Sequence, residues 1–193
     1  MSKKSLPILH VDGSLTEYID KNGVLHQVAG LGGYLVVEGK IVKTFHKSLK
    51  DEPHLNHHEE YAILEGMKWV IEMGYDTLRI KTDSMYSVVL FNNNKKILAK
   101  VDKFFLMQFL MLEVGFDCVE IIYHSRADED LSHNLSRTYL NNLPKDIIRL
   151  HSSNHRKKKT YSIKEDATRL NDEYIKKFLC KSINKWSNVI DAF

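Results

Sequence analysis

The sequence predicts an α/β domain: a mixed five-stranded sheet, three antiparallel strands and then two more, flanked by helices and followed by a C-terminal helical extension. Two observations carry this. Apolar runs of strand character fill much of the first fifty residues and are punctuated by turn signals at Asp20 to Gly23 and at Glu38-Gly39. Beyond them, stretches with apolar residues three and four apart alternate with two short runs, "DTLRIKTDS" and "CVEIIYH". Strands in a row, then helices alternating with strands, make a mixed sheet covered by helices.

Each element follows from its residues. Residues 6 to 12 form a strand expected to end at Asp12, ahead of the small pair Gly13 and Ser14. "AGLGGYLVVEGKIVKTFHKSL" supplies the second and third strands, with Gly30, Gly32 and Gly33 permitting close backbone approach. From Asn56 to Met73, Ile63, Leu64, Met67, Val70 and Ile71 fall on one helical stripe, and Gly74 stops it. "DTLRIKTDS" is a strand running to Asp83, and "SMYSVVLF" is a short helix. Ile97 to Val114 is helical, with Val101, Phe104, Phe105, Leu106, Phe109 and Leu112 on its apolar side. "CVEIIYH" is the fifth strand, and Leu131, Leu135 and Tyr139 mark a helix over 129–140 that Pro144 keeps from running on.

The domain is expected over residues 1–145. Residues 146–162 include "HSSNHRKKKTYS", which is polar, basic and aperiodic and reads as a linker. Residues 163–193 read as an amphipathic helix marked by Ile163, Ala167, Leu170, Tyr174, Phe178 and Leu179. No internal repeat is evident.

With 193 residues, 43% of them hydrophobic, the chain can hold one domain of about 150 residues with a true core and an appendage. That excludes the disordered class. The formal net charge of +3 permits an anionic partner without demanding one. Cys118 and Cys180 are too few and too far apart for a disulfide framework or a thiolate metal site. The apolar start is interrupted by Pro7, His10 and Asp12 and is too short for a signal peptide or membrane span, so a soluble, cytoplasmic protein without membrane contact is expected.

Asp12 and Asp83 each stand at the expected end of a strand, and Glu60 heads the stripe that continues through Ile63, Leu64 and Met67. Side chains three and four apart share a helix face, so a helix burying Ile63 and Leu64 also aims Glu60 at the sheet. Three converging acids repel one another unless a divalent cation binds them. Carboxylates without cysteine favour a hard cation, Mg²⁺ or Mn²⁺, and two such ions about 4 Å apart can activate water and stabilise the leaving oxygen of a phosphodiester. Gly13 and Ser14 would leave room for a sugar-phosphate backbone and offer it an N–H and a hydroxyl.

The strings "VDGS" (11–14), "NHHEEYAILEGMKWV" (56–70), "TDSMYSV" (82–88) and "RADEDLSHNLSR" (126–137), in this order and spacing, resemble the ribonuclease H type 1 family, within the reverse-transcriptase-like ribonuclease H superfamily. The resemblance covers roughly residues 6 to 142 and implies a ribonuclease H-like fold. It implies that Asp12, Glu60 and Asp83 are metal-binding catalytic carboxylates. It also implies Mg²⁺-dependent hydrolysis of the RNA strand of an RNA/DNA hybrid, leaving a 5′-phosphate and a 3′-hydroxyl. In that family the residues around "DGS", the helix acid and two asparagines four and three positions before it touch the RNA 2′-hydroxyls. Counted from Glu60, those positions hold Asn56 and His57, of which His57 departs from the pattern. With Gly13, Ser14 and Ser84 they form the expected substrate contacts.

The fourth carboxylate of the family falls here on His133. Imidazole is a softer ligand than Mg²⁺ prefers and brings no negative charge, so a weak ligand, a proton shuttle and an aid to product release are all open for it, with activity reduced or tilted toward Mn²⁺. Asp128 or Asp130 could substitute if the helix register slips.

Bland alternatives stand beside these readings. Asp12 can be a turn acid, Ser14 a turn closer and Ser84 a helix cap. His54, His57 and His58 suggest a zinc site, against which adjacent His57 and His58 diverge on a helix. His124 and Arg126 lie near the site, and "NNNKK" (92–96) and "RKKK" (156–159) offer basic contacts to phosphates or plain solvated loops. At the level of function, the alternative is a ribonuclease H-like binding or adaptor module that has lost most turnover, favoured by His133 and His57. A nuclease of the same fold acting on double-stranded RNA or DNA is the third reading.

Overall fold

Strand β1 (Ile8–Ile19) runs on past Asp12, where the sequence suggested it would stop. The cause is its neighbour in this computed structural model, which describes residues 6–92, 100–125 and 131–150. Strand β2 (Leu25–Val37) pairs antiparallel with β1 from Ile8 opposite Val36 to Ile19 opposite Leu25, so the backbone of Asp12, Gly13 and Ser14 sits in mid-ladder. Asp20 Oδ1 closes the hairpin by accepting from the N–H groups of Asn22 and Val24, each at 2.9 Å. Strand β3 (Lys40–Lys50) pairs antiparallel with β2 across a turn in which Glu38 and Gly39 adopt φ of 51° and 74°.

Strand β4 (Thr77–Thr82) lies parallel to β1 but pairs with it only along Ile8, Leu9 and His10, and β5 (Cys118–Tyr123) lies parallel to β4. The resulting order, β3-β2-β1-β4-β5, is the expected mixed sheet. A sixth strand, β6 (Ile148–Leu150), was not legible in the sequence. It pairs antiparallel with Glu17, Tyr18 and Ile19, beyond the point where β4 has left β1, and so carries the sheet past the expected boundary at 145. Between His10 and Glu17, the edge of β1 facing β4 and β6 pairs with no strand among the described residues.

Alternation along β1 and β2 sorts their residues onto two faces. Leu9, Val11, Leu31 and Leu35 face one core together with Ala62, Ile63, Met67 and Val70 of helix α1 (His58–Glu72). The same core takes Leu90 and Phe91 of α2 (Met85–Asn92) and Phe105 and Phe109 of α3 (Lys100–Glu113), with the Phe91 and Phe109 rings stacked at 4.6 Å. The opposite face carries α4 (Leu131–Ser136) and the 3₁₀ turn Thr138–Asn142, whose Tyr139 packs with Tyr18 and Val28. The expected helix over 129–140 is thus a short α-helix and a tighter turn, and residues 126–130 lie outside the described residues. So do residues 93–99, residues 151–162 of the expected linker and the C-terminal helix, whereas residues 148–150 of that linker form β6. No helix among the described residues is long and apolar enough to cross a membrane.

Helix α1 approaches β1 closely through Gly66, where an added Cβ would meet the Leu9 Cδ2 at 2.7 Å and the Val11 Cγ1 at 3.2 Å. Both are ends of side chains that can shift, and alanine gains about 1 kcal/mol of helix propensity over glycine. Gly66→Ala is therefore expected to change stability by no more than about 1 kcal/mol in urea unfolding.

Candidate active site

Asp12 lies in mid-β1 on the face covered by α4, Asp83 directly follows β4, and Glu59 stands in the first turn of α1. Each contributes a carboxylate oxygen to a group whose members all lie within 4.8 Å of one another. The close start of α1 depends on Gly13. A Cβ there would fall 2.5 Å from the His58 carbonyl oxygen and 2.8 Å from the Glu59 nitrogen, and the Gly13 N–H instead donates to Glu59 Oε2 at 3.0 Å. Glycine after Asp12 thus serves helix approach rather than a turn, and Ser14 Oγ donates to the Ser136 carbonyl at 2.7 Å, tying α4 to β1.

The acid of α1 that joins Asp12 and Asp83 is Glu59, not Glu60. Successive residues diverge by about 100° around a helix, so the two glutamates flank Ile63 on opposite sides. Glu59 shares its side with Ala62 and Gly66, the small residues that let α1 approach β1. Glu60 turns toward α2, where it is buried: Ser87 Oγ donates to Glu60 Oε1 at 2.5 Å, and His57 Nδ1 lies 3.4 Å from Glu60 Oε2. The two small residues at three and seven positions after Glu59 were the sequence signal for this register.

The expected substrate residues shift with it. Counted from Glu59, the positions four and three before the helix acid are Leu55, which is buried, and Asn56, which is exposed. His57 stacks on Phe105 with ring centres 5.1 Å apart, on the Glu60 side of the helix. Ser84 caps α2: its Oγ accepts from the Ser87 N–H at 3.2 Å. His124 packs edge-on against His10, which stacks on Tyr34, and Arg126, Asp128 and Asp130 lie outside the described residues. His54, His57 and His58 do not form a shared ligand set among the described residues: His54 lies by the Phe104 ring and His58 Nδ1 by the Leu55 carbonyl.

From α4, His133 Nδ1 lies 3.3 Å from Asp12 Oδ2. Ser136, which sequence reasoning did not single out, donates from its buried Oγ to the same oxygen at 2.5 Å. Gly30 and Gly32 make room for this, since Cβ atoms there would fall 1.8 Å from the Ser136 carbonyl oxygen and 2.2 Å from its nitrogen.

Burial, followed by the charges of Asp12 and Asp83, pushes the Glu59 carboxyl well above the usual carboxylate range, against the pull of the Gly13 N–H. A group raised above its unfolded value of about 4.5 favours folding while protonated. Its contribution is complete below that value and is lost as pH rises through the raised folded value. In metal-free protein, Glu59→Gln is expected to melt a few degrees above the parent at pH 8, a gap that closes toward pH 4. Thermal melting at both pH values, with and without Mn²⁺, checks this; the cation should raise the parent more than the variant. Three crowded carboxylates without sulfur suit a hard divalent cation, which is the fit this donor set offers.

The fold has solved counterparts. A crystal structure of RNase H1 from the halophilic archaeon Halobacterium salinarum superposes with a TM-score of 0.59 at 19% identity, over 71% of this chain and 98% of that one. The fold is that of ribonuclease H. LC11-RNase H1, isolated from compost by a metagenomic approach, shares the ribonuclease H fold with a TM-score of 0.58 at 15% identity, over 71% of this chain and 96% of that one. The N-terminal RNase H domain of rv2228c from Mycobacterium tuberculosis gives 0.55 at 13% identity, over 72% and 96%. LC11-RNase H1 has also been solved in complex with an RNA/DNA hybrid, and that structure gives 0.55 at 14% identity over 67% and 92%. No family model matches the chain, and no curated protein matches it in sequence.

Proposed function

We propose that the chain is a divalent-metal-dependent endoribonuclease of the ribonuclease H type 1 family, hydrolysing the RNA strand of RNA/DNA hybrids to a 5′-phosphate and a 3′-hydroxyl. The observation that carries this is the meeting of Asp12, Glu59 and Asp83 within 4.8 Å, from three elements, where β4 has left β1 in a ribonuclease H fold. Asp12, Glu59 and Asp83 would hold the Mg²⁺ or Mn²⁺, Asp12 as the shared ligand if two ions bind, Glu59 in the place first given to Glu60, and Asp83 on the side of the attacking water. Such ions supply water activation and charge stabilisation at the leaving oxygen. Asn56, which is exposed, is the expected substrate residue available to the 2′-hydroxyl side of the RNA, a recognition that separates RNA from DNA, whereas the Gly13 N–H already donates to Glu59 and Ser14 Oγ to the Ser136 carbonyl. His133 occupies the altered fourth position beside Asp12.

A second reading, a binding or adaptor module with little turnover, is favoured by that histidine. End-labelled RNA/DNA hybrid incubated in Mg²⁺ and separately in Mn²⁺, with single- and double-stranded RNA and DNA as controls, decides between them. Hybrid-selective cleavage lost in Asp83→Asn is expected. Tight hybrid binding without cleavage in either metal would select the module, and preferential cleavage of double-stranded RNA would reassign the substrate.

A further inference from the structure

We infer that His133 and Ser136 act as paired hydrogen-bond donors that hold one carboxylate oxygen of Asp12, so that α4 supports cation binding through Asp12 rather than by ligating the cation. The inference rests on the metal-site reading above and concerns what replaces the fourth carboxylate. Both contacts end on the same atom: Ser136 Oγ is 2.5 Å and His133 Nδ1 3.3 Å from Asp12 Oδ2. An ionised carboxylate only accepts hydrogen bonds, so the hydrogens sit on the serine hydroxyl and on Nδ1. A neutral imidazole protonated at Nδ1 has its lone pair on Nε2, and Nδ1 is then no ligand.

The arrangement answers a specific difficulty. Asp12 is almost wholly buried and shares its surroundings with Glu59 and Asp83, so its charge and its rotamer both need support. Two donors on one oxygen supply that support and add no fourth negative charge to the cluster. The donors are themselves fixed. The Ser136 carbonyl accepts from Ser14 Oγ at 2.7 Å, Gly30 and Gly32 bring its backbone against β2, and Tyr139 OH donates to Thr16 Oγ1 at 2.8 Å. Ser136 and His133 are positioning residues in this scheme, of the kind whose loss typically weakens metal binding ten- to a hundredfold.

The test is Mn²⁺ titration calorimetry on the full chain, comparing the parent with Ser136→Ala, His133→Asn, His133→Gln and Asp83→Asn. Asparagine carries an N–H where Nδ1 lies and nothing where Nε2 lies; glutamine reaches only the Nε2 position. His133→Asn is expected to bind Mn²⁺ within about threefold of the parent, and His133→Gln and Ser136→Ala about tenfold or more weaker. His133 is partly exposed, so its variants are expected to keep the fold, which circular dichroism checks, and its comparison stands even if Ser136→Ala melts early. Retained binding in His133→Gln with loss in His133→Asn would overturn the inference in favour of ligation through Nε2. Parental binding by Ser136→Ala, with Asp83→Asn weakened, would overturn the inference alone. Parental binding by Asp83→Asn would overturn the metal site itself.

Discussion

Glu59→Gln is expected to lower kcat/KM for hybrid cleavage by about a thousandfold, and Glu60→Gln by no more than a few-fold. Charge stabilisation by a bound metal is worth several kcal/mol, and about 4 kcal/mol corresponds to three powers of ten in rate. Glu59 supplies an oxygen within 4.8 Å of those of Asp12 and Asp83, so removing its charge removes one of three groups able to hold the cation. Glu60 points elsewhere. Glutamine at that position keeps an oxygen to accept from Ser87 Oγ, and the buried site stays satisfied. Steady-state kinetics in Mg²⁺ and in Mn²⁺, with circular dichroism to confirm folding, separates the two. A thousandfold loss in Glu60→Gln with Glu59→Gln active would return the catalytic role to Glu60.

Gly32→Ala should unfold or dislodge α4. Its added Cβ would lie 2.2 Å from the Ser136 nitrogen, 2.6 Å from the Leu135 carbonyl carbon and 2.7 Å from the Ser132 oxygen. All three are backbone atoms, which cannot rotate aside as the Leu9 side chain can beneath Gly66. Overpacking of this kind costs about 3 kcal/mol or more when nothing can yield. Urea unfolding is expected to show that loss. The retained α4 contacts to Asp12 would weaken with it, so cleavage should fall as well; full stability and activity in Gly32→Ala would mean that α4 rides higher on the sheet than described.

Much of the fold was legible because periodicity is a local property. The stripe of Ile63, Met67 and Val70 states its own partner face, and the turn at Glu38-Gly39 marks where β2 gives way to β3. Two features were not legible for the opposite reason. The extension of β1 past Asp12 is set by β2, which offers a full ladder opposite the "DGS" backbone, and an Asp-Gly pair in isolation reads as a turn. Strand β6 is three exposed residues whose strand character comes only from pairing with Glu17–Ile19. In the site, Asp12 and Asp83 were found as acids at strand positions, while the choice between adjacent glutamates turned on which side of α1 carries the small residues. Ser136 was missed because a serine at a helix end looks like surface until the glycines beneath it are seen to draw it inward.

Strand β3 lies at one end of the strand order, with Lys40, Lys43, Lys47 and Lys50 all exposed. Their spacing is symmetric about Phe45. If two molecules met along this edge in antiparallel register centred on that residue, Lys43 would face Lys47 and Lys40 would face Lys50 in both directions. Like charges directly opposite across paired strands are destabilising, and lysines on an edge are a known guard against such pairing. This edge, which pairs with no further strand among the described residues, is therefore poorly matched to its own image, which makes self-assembly through it unfavourable at low ionic strength and less so as salt screens the lysines.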